Sequence, residues 1–157
     1  MKIFYTLLLA LTLFTVNQAH AADEIFAPKG LALKGVDVVA YTTLPAGAAA
    51  VKGVAEYKAE HQGATFQFVS QENLDTFQQN PEQFLPGYGG YCAYAMAVKG
   101  DKVKIDPNAW ALVNGKLYLN YSKGVQKDWL KSVETHIEQA DANWSMVKSK
   151  VFDTGWF

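Results

Sequence analysis

The pattern of apolar and polar positions divides the chain into a leader and one folded unit. A single charge at Lys2 precedes an apolar run from Ile3 to Val16, and small residues flank His20 in Ala19-His20-Ala21. These are the three parts of a cleaved export signal, so residues 1–21 read as a signal peptide and 22–157 as a single domain. The run is too short to span a bilayer comfortably, and no cysteine follows the cleavage point to accept a lipid, so no membrane anchor is expected. The expected address is the periplasm.

Within the domain, Gly35 to Tyr41 is a short apolar run whose period fits either a buried strand or a helical turn. Leu44 to Lys52, with Pro45, Gly47 and three consecutive alanines, predicts a loop. Val54 to Glu60 and Thr65 to Ser70 then alternate as two strands of a hairpin around His61-Gln62-Gly63, with Phe66 and Phe68 on one face. Ser70 is a good cap for a helix through Gln79 that turns Leu74 and Phe77 inward. Asn80-Pro81-Glu82 starts a further short helical turn carrying Phe84 and Leu85. After a polar loop from Lys99 to Pro107, Trp110–Val113 and Lys116–Tyr121 flank Asn114-Gly115, a strong two-residue hairpin signal. From Lys123 to Trp144 one apolar stripe, Val125, Trp129, Val133, Ile137 and Ala140, predicts a long amphipathic helix. Val151 to Phe157 is too apolar for a free tail and is expected to dock. The predicted fold class is α+β: a small antiparallel sheet of hairpins with helices packed on one side.

Composition narrows the function. The net charge is −1 at pH 7 and every basic side chain is a lysine, which argues against nucleic acid and against bidentate phosphate binding. There is one cysteine, so no internal disulfide can form, and an exported chain must rely on its apolar core.

That cysteine lies in Pro86-Gly87-Tyr88-Gly89-Gly90-Tyr91-Cys92-Ala93-Tyr94-Ala95-Met96. The glycines permit a tight turn and close approach of another group. Tyr91 to Val98 predicts two helical turns ended by Lys99-Gly100, with Cys92 in the first turn, where free N–H groups and the helix dipole favour a thiolate. Buried structural packing of a small apolar side chain is the competing reading.

The run from His61 through Phe66, Phe68, Val69, Ser70, Asn73, Phe77 and Asn80-Pro81-Glu82 to Phe84 resembles a YHS domain. Gly35 to Tyr41, the glycine-rich Cys92 element, the Asn-Gly hairpin and Ala-Asp-Ala-Asn-Trp144 are similar, more narrowly, to an exported branch of YHS (seleno)proteins. The family resemblance implies metal handling through cysteines, but the positions matching two of them are Val69 and Asn73. A third, expected within 37–41, is absent, so a thiolate cage is not carried over. In the exported branch the position of Cys92 is selenocysteine in some members, which implies a group chosen for nucleophilicity or softness.

Three functional readings stay open. In the first, Cys92 is a redox-active, catalytic thiol, with Tyr91 and Tyr94 as hydroxyl donors and an outside thiol as its resolving partner. In the second, Cys92 and Met96, four apart, bind a soft metal such as copper, with His61 as a third ligand. The expected partner is then a metal ion or an exported redox or metal-handling protein. In the third, Cys92 is structural, and Tyr88, Tyr91, Tyr94, Trp110 and Tyr121 form an aromatic groove for a small ligand or a protein.

Overall fold

In the computed structural model, which describes residues 24–151, the fold is α+β. Residues 1–23 and 152–157 lie outside the described residues, as do the expectations placed on them. Among the described residues no helix is long and apolar enough to cross a membrane.

The chain begins with short turns rather than a strand. Gly35 to Tyr41 makes one isolated bridge, Val36 with Lys52, and then a helical turn over Ala40–Thr42. β1 (Val54–His61) and β2 (Ala64–Phe68) form the first hairpin. Its two-residue turn is Gln62-Gly63, both at positive φ (48° and 77°), the geometry that matches the twist of the strands. β2 buries Phe66 and Phe68, and α1 (Gln71–Gln79) follows at once because Ser70 accepts the Asn73 N–H at 3.2 Å. α2 (Pro81–Phe84) then folds Phe84 back onto the same rings. Phe77 is the hub, its centroid 5.0 Å from those of both Phe66 and Phe68 and 6.5 Å from that of Phe84. Truncating so buried a ring costs about 3–5 kcal/mol.

Beyond the glycine-rich turn come α3 (Ala93–Lys99), β3 (Asp106–Val113), β4 (Lys116–Asn120), α4 (Lys123–Leu130) and α5 (Val133–Val147). Asn114 and Gly115 carry positive φ between β3 and β4, as the dipeptide predicts. The two hairpins do not join into one sheet; each is a separate two-stranded sheet with helices packed against it. The long helix is also divided. Ser132, at φ −147° and ψ 55°, leaves helical geometry between α4 and α5, although the apolar stripe runs on unbroken. The break lets Trp129 pack on Tyr118, at 5.2 Å between centroids, while α5 runs along α3. His136 Nδ1 donates to the Trp129 carbonyl at 2.7 Å and so satisfies one of the acceptors freed by the break.

The core has two parts. One gathers the phenylalanines with Phe26, Leu33, Tyr41, Tyr91, Cys92 and Trp110. The other lies between α3, α4, α5 and β4 and holds Tyr88, Met96, Tyr118, Trp129 and Ala140.

Candidate functional site

The glycine-rich turn is built for close approach, and what approaches is the chain itself. Gly89 sits at φ 60°, and a Cβ there would stand 1.6 Å from the Glu24 carbonyl oxygen. The Phe26 N–H donates to the Gly89 carbonyl at 2.8 Å, fixing residues 24–26 across the turn. A Cβ on Gly90 would meet Leu33 at 2.1 Å. These glycines thus dock residues 24–26 and Leu33 and aim the next residues.

The next residue is Cys92. It is the cap of α3 rather than part of its first turn. Its N–H donates to the Val103 carbonyl at 3.0 Å, and its carbonyl accepts the Met96 N–H at 3.0 Å, so the backbone is held on both sides. The side chain is only 1% exposed. Its sulfur accepts the Tyr121 N–H at 3.3 Å and, as a thiol, donates to Asn120 Oδ1 at 3.8 Å. Burial pushes the thiol pKa up, while the backbone N–H groups of Ala95, Tyr121 and Tyr94 pull against that rise. The group is therefore a protonated thiol at neutral pH, with donors in place for its anion. The helix start does not by itself make a thiolate, because desolvation outweighs the donors.

Asn120 is the polar neighbour that the sequence reading missed. It is fully buried at the end of β4, its Oδ1 accepts the Tyr94 N–H at 3.2 Å, and its Nδ2 has no hydrogen-bond partner among the described residues. The available signal was an asparagine closing the apolar run Leu117-Tyr118-Leu119, where a polar side chain has to justify its burial.

Cys92 forms part of the floor of a cleft of about 780 Å³. Tyr94, Val98, Val103, Tyr121 and Val125 line its apolar part, and Lys99, Lys102, Lys104 and Lys150 line it together with one carboxylate, Asp101. Lys99, Lys102 and Lys104 follow Cys92 closely in sequence and Lys150 joins them from beyond the far end of α5, so the cleft lining carries more positive than negative side chains.

The other expected site residues lie elsewhere. Met96 is fully buried in the second part of the core and does not line the cleft. His61, in the first hairpin, pairs with Glu82 at 3.1 Å and sets its ring edge-on to Phe77 at 5.8 Å. Among the described residues no cluster of three His, Cys, Asp or Glu side chains could hold a metal ion. Of the aromatics expected to form a groove, Tyr94 and Tyr121 line the cleft, and Trp110 is buried in the core. Tyr88 is buried and donates to Asp141 at 3.0 Å, and burial beside that carboxylate raises its pKa. Tyr91 is 1% exposed and packs edge-on against Phe26 at 5.5 Å.

A second polar centre stands where the YHS resemblance would put cysteines. Asp37 is fully buried. Its Oδ1 accepts the N–H groups of Val39 and Ala40, at 2.8 and 3.1 Å. Its Oδ2 accepts the Val69 N–H at 2.9 Å and the Asn73 side-chain amide at 2.7 Å. Residues 37, 69 and 73 do converge, but on a carboxylate with four donors rather than on a thiolate cage.

No curated protein matches this chain, and no solved structure does. Residues 45–88 match the family model of the YHS domain, a stretch that takes in the first hairpin, α1 and α2 and stops four residues short of Cys92.

Proposed function

We propose that this is an exported, periplasmic YHS-type protein in which Cys92 acts as a redox-active thiol. The observation that carries the proposal is the placement of the sole cysteine on the floor of a lysine-lined cleft, with three backbone N–H groups around its sulfur. The export half rests on the leader pattern of residues 1–21.

In the step this environment suits, the sulfur attacks the outer oxygen of a hydroperoxide. An S–O bond forms, the O–O bond breaks, and the leaving oxygen takes the thiol proton and departs as an alcohol or water. Cys92 is oxidised by two electrons to a sulfenic acid. The N–H groups of Ala95, Tyr121 and Tyr94 favour the thiolate as the proton leaves the sulfur, and positive charge on the cleft lining favours the negative charge that develops on the departing oxygen. A low-molecular-weight thiol from outside the chain must then condense with the sulfenic acid, and a second must reduce the mixed disulfide, because the chain has no resolving cysteine.

The YHS match is compatible with a metal-related role. The described residues do not fit a copper site made of Cys92, Met96 and His61, since only the first of these reaches the cleft. The thiol reading is therefore preferred.

The test is to challenge the folded chain with a hydroperoxide in the presence of a sulfenic-acid trap and to map the adduct by peptide mass spectrometry. Labelling of Cys92 is expected. An unlabelled Cys92 in folded protein, alongside a labelled one in urea, would sink the reading.

A further inference from the structure

The Cys92 cleft combines an apolar part with a charged one. The apolar part lies around the sulfur. The Cys92 N–H donates to the Val103 carbonyl and the Tyr121 N–H donates to the sulfur itself, so Val103 and Tyr121 flank the thiol, and both line the cleft with Val98 and Val125. Val98 and Tyr121 are 47% and 48% exposed, large side chains left open around one concavity, which mark a surface that a ligand covers.

The charged part comes from Lys99 at the end of α3, Lys102 and Lys104 in the segment that follows, and Lys150 beyond α5. Lys102 Nζ donates to the carbonyls of Lys148 and Lys150, at 2.8 and 2.6 Å, and so ties the exit of α5 to that segment and brings Lys150 to the same lining as Lys99. Lys99 and Lys150 are exposed, and neither forms an ion pair among the described residues. One carboxylate, Asp101, shares the lining with the four ammonium groups, which leaves it positive.

The cleft's volume of about 780 Å³ lies within the range of roughly 300–1,000 Å³ that holds small-molecule ligands. An occupant that matches both parts has a negative head and an apolar tail. A neutral hydrocarbon would take water from the ammonium groups and give nothing back, and a small inorganic anion would leave the valines and Tyr121 bare. The lysines act as separate point charges, and the chain has no arginine to fork onto a phosphate, so a carboxylate is the head that suits them.

We propose that the cleft binds a long-chain fatty carboxylate, its head at Lys99 and Lys150 and its tail on Val98, Val103, Tyr121 and Val125, and that the oxidant of Cys92 is the hydroperoxide of such an acid. The binding stands on the cleft. The choice of oxidant rests on the thiol reading above. A fatty-acid hydroperoxide carries its O–O bond on the tail, away from the carboxylate, and the sulfur likewise lies among the apolar residues. The sulfur takes the outer oxygen, the O–O bond breaks, and the thiol proton goes to the leaving oxygen, giving the sulfenic acid and a hydroxy acid.

Two measurements on the full chain test this. In the first, decanoate below its micelle-forming concentration is titrated by calorimetry beside uncharged decanol and tailless acetate. Decanoate is expected to bind at one site, with nuclear Overhauser contacts from its methylene groups to the methyl groups of Val98, Val103 or Val125. Binding should weaken roughly tenfold for decanol, for acetate and for the Lys99→Glu, Lys150→Glu double variant. No binding, binding no tighter than that of decanol, or contacts only to other residues would overturn the site. In the second, sulfenic-acid formation at Cys92 is timed with linoleic acid hydroperoxide and with hydrogen peroxide at equal concentration. The former should be roughly tenfold faster or more, because binding holds the peroxide at the sulfur, and excess decanoate should abolish the difference. Equal rates would overturn the choice of oxidant and keep the thiol reading. Oxidation by neither, with decanoate bound, would remove the thiol reading and the oxidant with it and leave the fatty-acid site standing.

Discussion

Two buried polar centres lie among the described residues, and they differ in how completely they are satisfied. Around Asp37 both carboxylate oxygens are used, by three backbone N–H groups and the Asn73 amide, and the carboxylate ties the 37–40 turn to the end of β2 and to α1. Around Cys92 the sulfur has backbone N–H groups on one side and Asn120 Oδ1 at 3.8 Å, but the adjoining Asn120 amide nitrogen has no partner among the described residues, and Cys92 itself lines a cleft. A saturated centre is a fastening, because it has no valence left for a ligand. An unsaturated one beside a cleft keeps polar capacity that only a ligand or water can use. The YHS match covers Val69, which follows β2, and Asn73 on α1 but not Cys92, so the family stretch coincides with part of the fastening and not with the thiol.

The largest expected effect is on the fastening. Asp37→Ala strands three N–H groups and an amide in the interior and should cost about 3–5 kcal/mol in urea unfolding. Asp37→Asn should cost less, because it keeps the shape and one acceptor. In both variants the Cys92 alkylation rate of the folded fraction should stay unchanged. A parallel change in that rate would show that the two centres are coupled.

Next in size is the pH dependence of the thiol. Burial raises the folded pKa of Cys92 above its value in the unfolded chain, which is about 8.5. Above that pH the unfolded chain loses a proton that the folded chain keeps, so stability falls as pH rises, by at most about 1.4 kcal/mol per unit. Cys92→Ser should remove this fall between about pH 8.5 and 10, below the ordinary range of tyrosine ionisation. At pH 7 the same variant should lose about 1 kcal/mol or less, because a small polar side chain still occupies the site. Chemical denaturation across pH checks both points. Identical slopes for the two proteins would mean that the thiol is not shifted.

The smallest effect belongs to the exposed pair at the first hairpin. Glu82→Gln removes the charge facing His61 and should change stability by less than about 1 kcal/mol. Thiol reactivity should not move, since the pair lies outside the cleft.

What the sequence disclosed was local. The Ser70 cap, the Asn-Gly turn and the inward phenylalanines are each set by neighbours a few residues apart, and their positions follow from pattern alone. The division of the last helix was hidden, because the stripe from Val125 to Ala140 keeps its period through a backbone that turns at Ser132. The separation of the hairpins into two sheets depends on long-range packing. The Asp37 centre joins residues 32 and 36 positions apart, and Asn120 and Tyr121 meet Cys92 across 28 and 29. Cys92 could be singled out by composition and its glycine-rich neighbourhood. Its protonated state could not, because desolvation is set by the residues that close over it.

The central claim is that the unsaturated centre does chemistry. Mass spectrometry of the chain recovered from the periplasm after mild oxidant exposure tests it most directly. The account predicts a chain beginning at Ala22 with Cys92 partly converted to a sulfenic acid or a mixed disulfide. A chain retaining residues 1–21 would contradict the export proposal. Recovery of Cys92 wholly as the free thiol would contradict the redox proposal and leave both polar centres as parts of the fold.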